Sequence, residues 1–246
     1  KGLFSKKIEN NLINNQIDIA VHALKDMPSE EPEDLITNCF LERNDPREVL
    51  ISKNNNQIRN LKTNSVIGTS SLRREYQLKR IRNDLKYKLI RGNVDTRIKK
   101  LNDDLYDAII LSYAGLKSLN IDEQISQIFS TQEIIPSVGQ GVVALQCRKN
   151  DKHTLDLLSK INHKKTSICV NAERYLLKVL EGDCETAVGA FAYVENDVIN
   201  LNAELFSIDG KQRFYHHSKK DIMLSKELGL EVGGILKKVS KDSYKR

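Results

Sequence analysis

A chain of 246 residues that is 39% hydrophobic and 29% charged has enough apolar side chain for one to three cores and a well-solvated surface. No apolar run approaches the roughly 18 residues of a membrane-spanning helix, and no secretory signal is visible. The net charge of +6 favours an anionic partner, although stretches such as "KNNNQIRNLK" read as solvated surface.

The four cysteines (Cys39, Cys147, Cys169, Cys184) form no CxxC pair, and the histidines are scattered apart from His216–His217. Neither a metal centre nor a disulfide framework is expected. Cys39, Cys147 and Cys169 lie beside apolar residues and read as small buried side chains. The chain opens at "KGLF" without Met, so an upstream segment carrying any targeting information is expected.

Phe4, Ile8 and Leu12 recur at helical spacing over 4–16. The run "IDIAVHAL" (17–24) reads as a strand covered on both faces, ended by Pro28 and Pro32. Further strands are predicted at 49–52 and 65–69, with a helix over about 72–82. Residues 87–93 read as strand and turn. A helix follows with Asp95 as N-cap, and 106–119 repeats the strand-then-helix pattern. This alternation predicts two α/β lobes built on mainly parallel sheets. Beyond "IIPSVGQGVVALQCRKND" the pattern changes. A helix over 166–180, which Gly182 can end as a left-handed cap, precedes three alternating runs and a last helix. That part reads as a small α+β domain with a three-stranded antiparallel sheet.

Ligands of open α/β sheets bind beyond the carboxyl ends of the strands. The sequence places Lys25 and Asp26 at one such end, and Thr69, Ser70, Ser71, Arg73 and Arg74 at another. Arg91 and Arg97 follow the next strand, and Ser112 and Gly115 the one after. Arginines beside hydroxyls and a helix N-terminus suit an anion with several negative groups. Ordinary ion pairs of Arg73 and Arg74 with Glu75 or Asp84 are the alternative. No GxxxxGK or GxGxxG signature points to a nucleotide. Asp26 is a lone carboxylate among cations, suited to a salt bridge, to stabilising a cation formed in a reaction, or to moving a proton. Cys184, on the polar turn "LEGDCETAVG", is a poor free nucleophile and a plausible covalent attachment point.

The segments "KGLF", "DIAVHALKDMP", "ERNDPRE", "IGTSSLRR", "RGNVDTR", "YDAIILSYAGL", "PSVGQGVVALQCR" and "LEGDC" occur in the order found in porphobilinogen deaminases, also called hydroxymethylbilane synthases. The chain resembles that family over nearly its whole length. The resemblance implies two lobes similar to periplasmic solute-binding proteins, at 1–41 with 142–160 and at 46–137, plus a cofactor-attachment domain at 164–246. It implies a dipyrromethane cofactor joined by a thioether to Cys184. The activity implied is head-to-tail condensation of four porphobilinogens with release of ammonia, then hydrolysis to hydroxymethylbilane. Lys25, Asp26, Ser71, Arg73, Arg74 and Arg97 would hold the cofactor. Arg91, Arg97, Thr69, Ser70, Gly115, Gln140 and Lys1 would meet substrate. Asp26 matches the catalytic aspartate, which stabilises the electron-poor azafulvene left when ammonia departs.

A monomer in cytosol or plastid stroma, with no nucleic-acid or membrane partner, is expected. The family's first strand and helix, with an arginine and a serine that touch substrate, should precede Lys1. Ala23 and Ser118 stand where some relatives have serine and arginine, and Asp183 replaces a common glycine. A non-catalytic binding protein for anionic solutes, with the same two lobes, would need neither Cys184 nor Asp26. A nucleic-acid-binding module is disfavoured by dispersed aromatics at 6%.

Overall fold

The computed structural model describes residues 3–182 and 186–245, with side chains from residue 6 onward. In chain order they form α1 (Leu3–Ile13), β1 (Ala20–Ala23), β2 (Leu35–Phe40), β3 (Glu48–Ser52), β4 (Val66–Gly68) and α2 (Leu72–Ile81). Next come β5 (Lys86–Lys88), α3 (Val94–Asn102), β6 (Ala108–Ser112), α4 (Tyr113–Ser118), β7 (Gln127–Ile128) and β8 (Val143–Arg148). The last elements are α5 (Lys152–Ile161), α6 (Lys164–Leu180), β9 (Val188–Glu195), β10 (Val198–Phe206), β11 (Arg213–Asp221) and α7 (Ser225–Ser240).

These strands make three sheets, ordered β1-β8-β2, β5-β4-β6-β3-β7 and β11-β10-β9. The chain is thus mixed α/β with a separate antiparallel sheet near its C-terminus. The expectation of mainly parallel sheets is corrected. Parallel pairing joins β4 only to β5 and β6, whereas β3 and β8 run antiparallel to their neighbours. The cause is the path of the chain, which crosses between the first two sheets at 41–47 and again at 129–142. A strand arriving from the neighbouring sheet begins where its new partners end. Glu48 accordingly pairs with Ser112, and Val143 with Ala23.

The second sheet is packed on both faces. Leu50, Ile67 and Ile110 join one core with Leu78 and Phe129, while Val49, Ile51, Ile109 and Leu111 face the other with Ile98 and Leu116. A strand between two cores has no polar face, so every residue of β3 is buried. Each fully buried aliphatic side chain here contributes about 1.5–3 kcal/mol. In the third sheet, Leu201 and Leu205 of central β10 pack against Leu176 of α6 and Val232 of α7. Edge strand β11 instead alternates between exposed and half-buried positions.

Several boundaries shift for local reasons. The first strand covers only part of 17–24, because Ile17 N donates to Asn11 O at 3.4 Å and Asp18 pairs with Arg148 at 2.6 Å, closing a turn. Asn93, not Asp95, caps α3, its side chain accepting from Thr96 N at 2.9 Å. The left-handed residue ending α6 is Glu181 (φ 53°) rather than Gly182, its carboxylate held by Lys237 and Lys245. Strands β2 and β8 and helix α5 were not anticipated from the sequence. Asp183 lies outside the described residues.

The two crossovers are fixed to α6 by one carboxylate. Glu173, wholly buried, accepts from both terminal nitrogens of Arg43 and from the backbone N–H groups of Gly139 and Ala192, each at 2.8 Å. The crossovers also meet directly, Asn44 N donating to Gly141 O at 2.8 Å. Gly139 and Gly141 take φ of +70° and +80°, and a Cβ on Gly141 would lie 2.4 Å from Asn44 O. Both glycines of "VGQG" are therefore demanded by the return crossover.

Candidate functional site

Lys25 sits in a one-turn 3-10 helix, Leu24–Asp26, after β1, anchored by buried Leu24. Its Nζ donates to Ser112 Oγ at 3.3 Å, at the end of β6 in the second sheet. Burial lowers its pKa to about 8; Arg74 and Arg73 push the same way, and Glu48 and Asp26 oppose them. Those groups converge on the ammonium from three elements. Asp26 itself is exposed.

The segment before α2 is shaped by hydroxyls. Thr69 Oγ1 accepts from Ser71 N at 3.1 Å, and Ser71 Oγ, at the N-cap, accepts from Arg74 N at 3.4 Å. Thr69 is buried and Ser70 exposed. Two cations at a helix N-terminus oppose its dipole, yet Arg73 and Arg74 are only 4% and 7% exposed. Their partner is Glu48, the first residue of β3, wholly buried. Arg73 Nη2 donates to Oε1 at 2.6 Å and Arg74 Nη2 lies 2.7 Å from Oε2. Arg73 Nη1 also donates to Ile135 O at 2.7 Å, where Gln77 binds the same carbonyl. Burial alone would raise the Glu48 carboxyl, but the two guanidiniums outweigh it and hold it at about 2.

Neither counter-ion considered from the sequence is used by this pair. Glu75 binds Lys79 and Asp84 binds Arg82, each at 2.6 Å. Glu48 was missed, although its position after Pro46 and before an apolar run marks the start of a strand arriving from a crossover. One buried carboxylate between two arginines leaves the cluster with an excess of positive charge.

Arg97, half-buried on the first turns of α3, donates Nε to Gly92 O at 2.8 Å. Its pKa is lowered first by burial and then by Arg74, with Asp26 opposing. Arg97 thus shares one field with Lys25, Arg74 and Asp26. Arg91 stands apart, exposed on the turn before α3, with its carbonyl accepting from Lys100. Gly115 lies on α4 beside Ser112. Gln140, 1% exposed, donates to Pro46 O at 2.7 Å and keeps a buried Oε1 without a protein partner among the described residues.

Helix α2 also docks on the third sheet. Tyr76 packs with Ala187 and Phe206, and its hydroxyl donates to Ile208 O at 2.6 Å. A cavity of about 300 Å³ separates Leu72 and Tyr76 from Glu181, Thr186 and Tyr244. Cys184 and Lys1 lie outside the described residues. Among the described residues, no group of three His, Cys, Asp or Glu side chains is placed to hold a metal ion, and no helix is long and apolar enough to cross a membrane. Cys39, Cys147 and Cys169 are buried free thiols, Cys39 Sγ donating to Leu158 O at 3.2 Å.

Two family models match consecutive parts of the chain. "Porphobilinogen deaminase, dipyromethane cofactor binding domain" covers residues 1–156, and "Porphobilinogen deaminase, C-terminal domain" covers 167–238. The chain belongs to the porphobilinogen deaminase family.

Porphobilinogen deaminases of Chlorobium phaeobacteroides and Staphylococcus epidermidis are each 42% identical to it. The matches span 89% of this chain and 70% of the first relative, and 97% and 77% for the second. That of Brevibacillus brevis is also 42% identical, over 96% of this chain and 76% of its own. A solved YaeC-family lipoprotein of Enterococcus faecalis overlaps with TM-score 0.44 at 12% identity, over 69% of this chain and 78% of its own.

The porphobilinogen deaminase model names a dipyrromethane cofactor, and the site's donors fit such a carboxylated group. Lys25, Arg73, Arg74 and Arg97 outnumber Asp26 and Glu48, and Arg74 Nε is a buried donor without a protein partner among the described residues.

Proposed function

We propose that this chain catalyses the hydroxymethylbilane synthase reaction, the stepwise condensation of four porphobilinogens, at the cation cluster where β1, β4 and β6 end. The observation that carries this reading is that Lys25 and Arg97, from separate elements, share Arg74 and Asp26 as charged neighbours in a chain of this family. When bound through Cys184, the dipyrromethane cofactor supplies the pyrrole carbon that primes the growing chain.

Each porphobilinogen carries an acetate and a propionate. Guanidiniums bind such groups through paired N–H donors, and Lys25 adds a point charge below about pH 8. Arg74, Arg97 and Lys25 clamp carboxylates inside the cluster, Arg73 supports Arg74 from behind, and exposed Arg91 collects the incoming ring at the rim. Thr69, Ser70, Ser71 and Gly115 border the clamp, and buried Gln140 acts through the crossover. Asp26 meets the pyrrole nitrogens. As the aminomethyl C–N bond breaks, its electron pair leaves with ammonia and positive charge spreads over the ring. A fixed carboxylate stabilises that charge, and a neutral amide cannot. The free α-carbon of the accepting pyrrole then bonds to that methylene carbon and loses its own proton, which restores the aromatic ring.

The reading includes three units, at 1–41 with 142–160, 46–137 and 164–246, and a monomer acting in cytosol or stroma. Three buried free thiols suit a reducing compartment. Intact-protein mass spectrometry after incubation with porphobilinogen tests the proposal. A gain of two linked pyrrole units on Cys184, with ammonia release, is the expected result. A protein that binds porphobilinogen but stays unmodified and releases no ammonia would instead be the anion-binding alternative.

A further inference from the structure

We infer that Glu48 is a positioning residue for substrate carboxylates: it fixes Arg73 and Arg74 as a rigid pair and sets the positive charge presented to the substrate. The inference rests on the proposed function and extends it to a residue that touches no ligand.

Three observations support it. Glu48 opens β3 opposite Ser112, the residue that accepts from Lys25, so the register of a core strand aims its carboxylate at the cluster. Its two oxygens are divided, Oε1 to Arg73 at 2.6 Å and Oε2 to Arg74 at 2.7 Å, which holds the guanidiniums side by side despite their repulsion. Arg73 is further committed to Ile135 O at 2.7 Å, whereas Arg74 Nη1 meets Ile110 O at a longer 3.4 Å and its buried Nε–H has no protein partner among the described residues. Glu48 thus ties one arginine into the scaffold and holds the other ready. It also acts on Lys25, whose ammonium faces Arg73, Arg74, Asp26 and Glu48. Of these, Glu48 is the wholly buried carboxylate, and its charge favours the ammonium form of Lys25.

Glu48→Gln removes the charge at nearly constant shape. A carboxamide accepts from one arginine through its oxygen but turns N–H groups toward the other, so the pair must separate. Lys25 also loses a neighbour that favours its charged form. In dipyrromethane-loaded enzyme, KM for porphobilinogen should rise about tenfold with kcat within about threefold, as expected when ground-state and transition-state binding weaken together. The alkaline limb of kcat/KM should move down by about one pH unit, the scale of one nearby charge. Glu48→Asp, which keeps the charge but reaches one arginine, should raise KM about threefold and leave the limb in place.

Either readout of a folded Glu48→Gln protein remaining at the wild-type value overturns the inference, even with a lowered melting temperature, since a purely structural ion pair would affect stability alone. If that protein folds without acquiring dipyrromethane, the rise in melting temperature produced by porphobilinogen replaces KM as the measure of binding. If it does not fold, Glu48→Asp decides, and a wild-type KM there overturns the inference. Wild-type protein that releases no ammonia would instead refute the proposed function.

Discussion

Lys25 Nζ reaches across from the end of β1 to Ser112 Oγ at the end of β6, 3.3 Å away, joining the first sheet to the second through a neutral acceptor. Burial and repulsion from Arg74 and Arg73 outweigh the attraction of Glu48 and Asp26, so the ammonium is held in a partly dehydrated site at a pKa of about 8. A lysine in that condition is poised for an anionic ligand.

Ligand binding should therefore take up a proton. Lys25 is charged in the free protein below about pH 8 and largely neutral at pH 9, and a carboxylate placed against it favours the ammonium. Calorimetric titration with porphobilinogen at pH 9, in two buffers of different ionisation enthalpy, should show uptake of a large fraction of one proton, and almost none at pH 6.5. A heat independent of buffer at pH 9 would place the carboxylate elsewhere. The same shift has a stability counterpart. The folded pKa lies below the unfolded value of 10.5, so this group's unfavourable contribution is full below pH 8 and is relieved as pH rises from about 8 toward 10.5.

The local signals in the sequence were sufficient for the α2 region: an apolar run, then hydroxyls, then a periodic helix placed Thr69, Ser71, Arg73 and Arg74 where the structure has them. Crossovers are different. The direction in which Glu48–Ser52 enters its sheet depends on where the chain comes from, which residue periodicity does not encode. Glu48 was overlooked for that reason, and parallel sheets were expected where antiparallel pairs occur. Arg91 and Arg97, six positions apart, were equivalent in the sequence. The turn of α3 separates them into an exposed and a half-buried side chain.

Asp26→Asn should keep the attached dipyrromethane while losing about 10²- to 10³-fold in turnover, the range for removing one oriented electrostatic group. The substitution preserves size and removes only the charge that would meet the pyrrole nitrogens. Intact mass and single-turnover ammonia release measure the two effects separately. Turnover within threefold of wild type would show that Asp26 serves only as an ion-pair partner.

Gly141→Ala should destabilise the fold by at least about 2 kcal/mol, since it combines a left-handed backbone with a clash. The new Cβ would stand 2.4 Å from Asn44 O, a backbone atom of the outgoing crossover. Gly234→Ala is the control, because its Cβ on α7 would meet nothing within 4 Å. That change should be neutral or stabilising by up to about 1 kcal/mol. Urea midpoints of the two variants should move in opposite directions or, at the least, differ by that margin.

Glu173→Gln should be the most disruptive of these substitutions, costing about 3–5 kcal/mol, because it leaves the Arg43 guanidinium buried without its charge partner. Glu173 brings two oxygens to four donors, and those donors come from both crossovers and from β9. The carboxamide presents one oxygen and two N–H groups to the same donors, so at least one backbone N–H loses its acceptor inside the protein. Arg43→Met leaves the wholly buried Glu173 carboxylate with its two backbone N–H donors and no charge partner, and should cost a comparable amount. The double variant should then cost less than the sum of the singles, with a coupling of about 1–3 kcal/mol from urea unfolding. Additive losses would mean that Arg43 and Glu173 stabilise the crossovers independently, and that the close approach of Asn44 to Gly141 suffices to hold the two segments together.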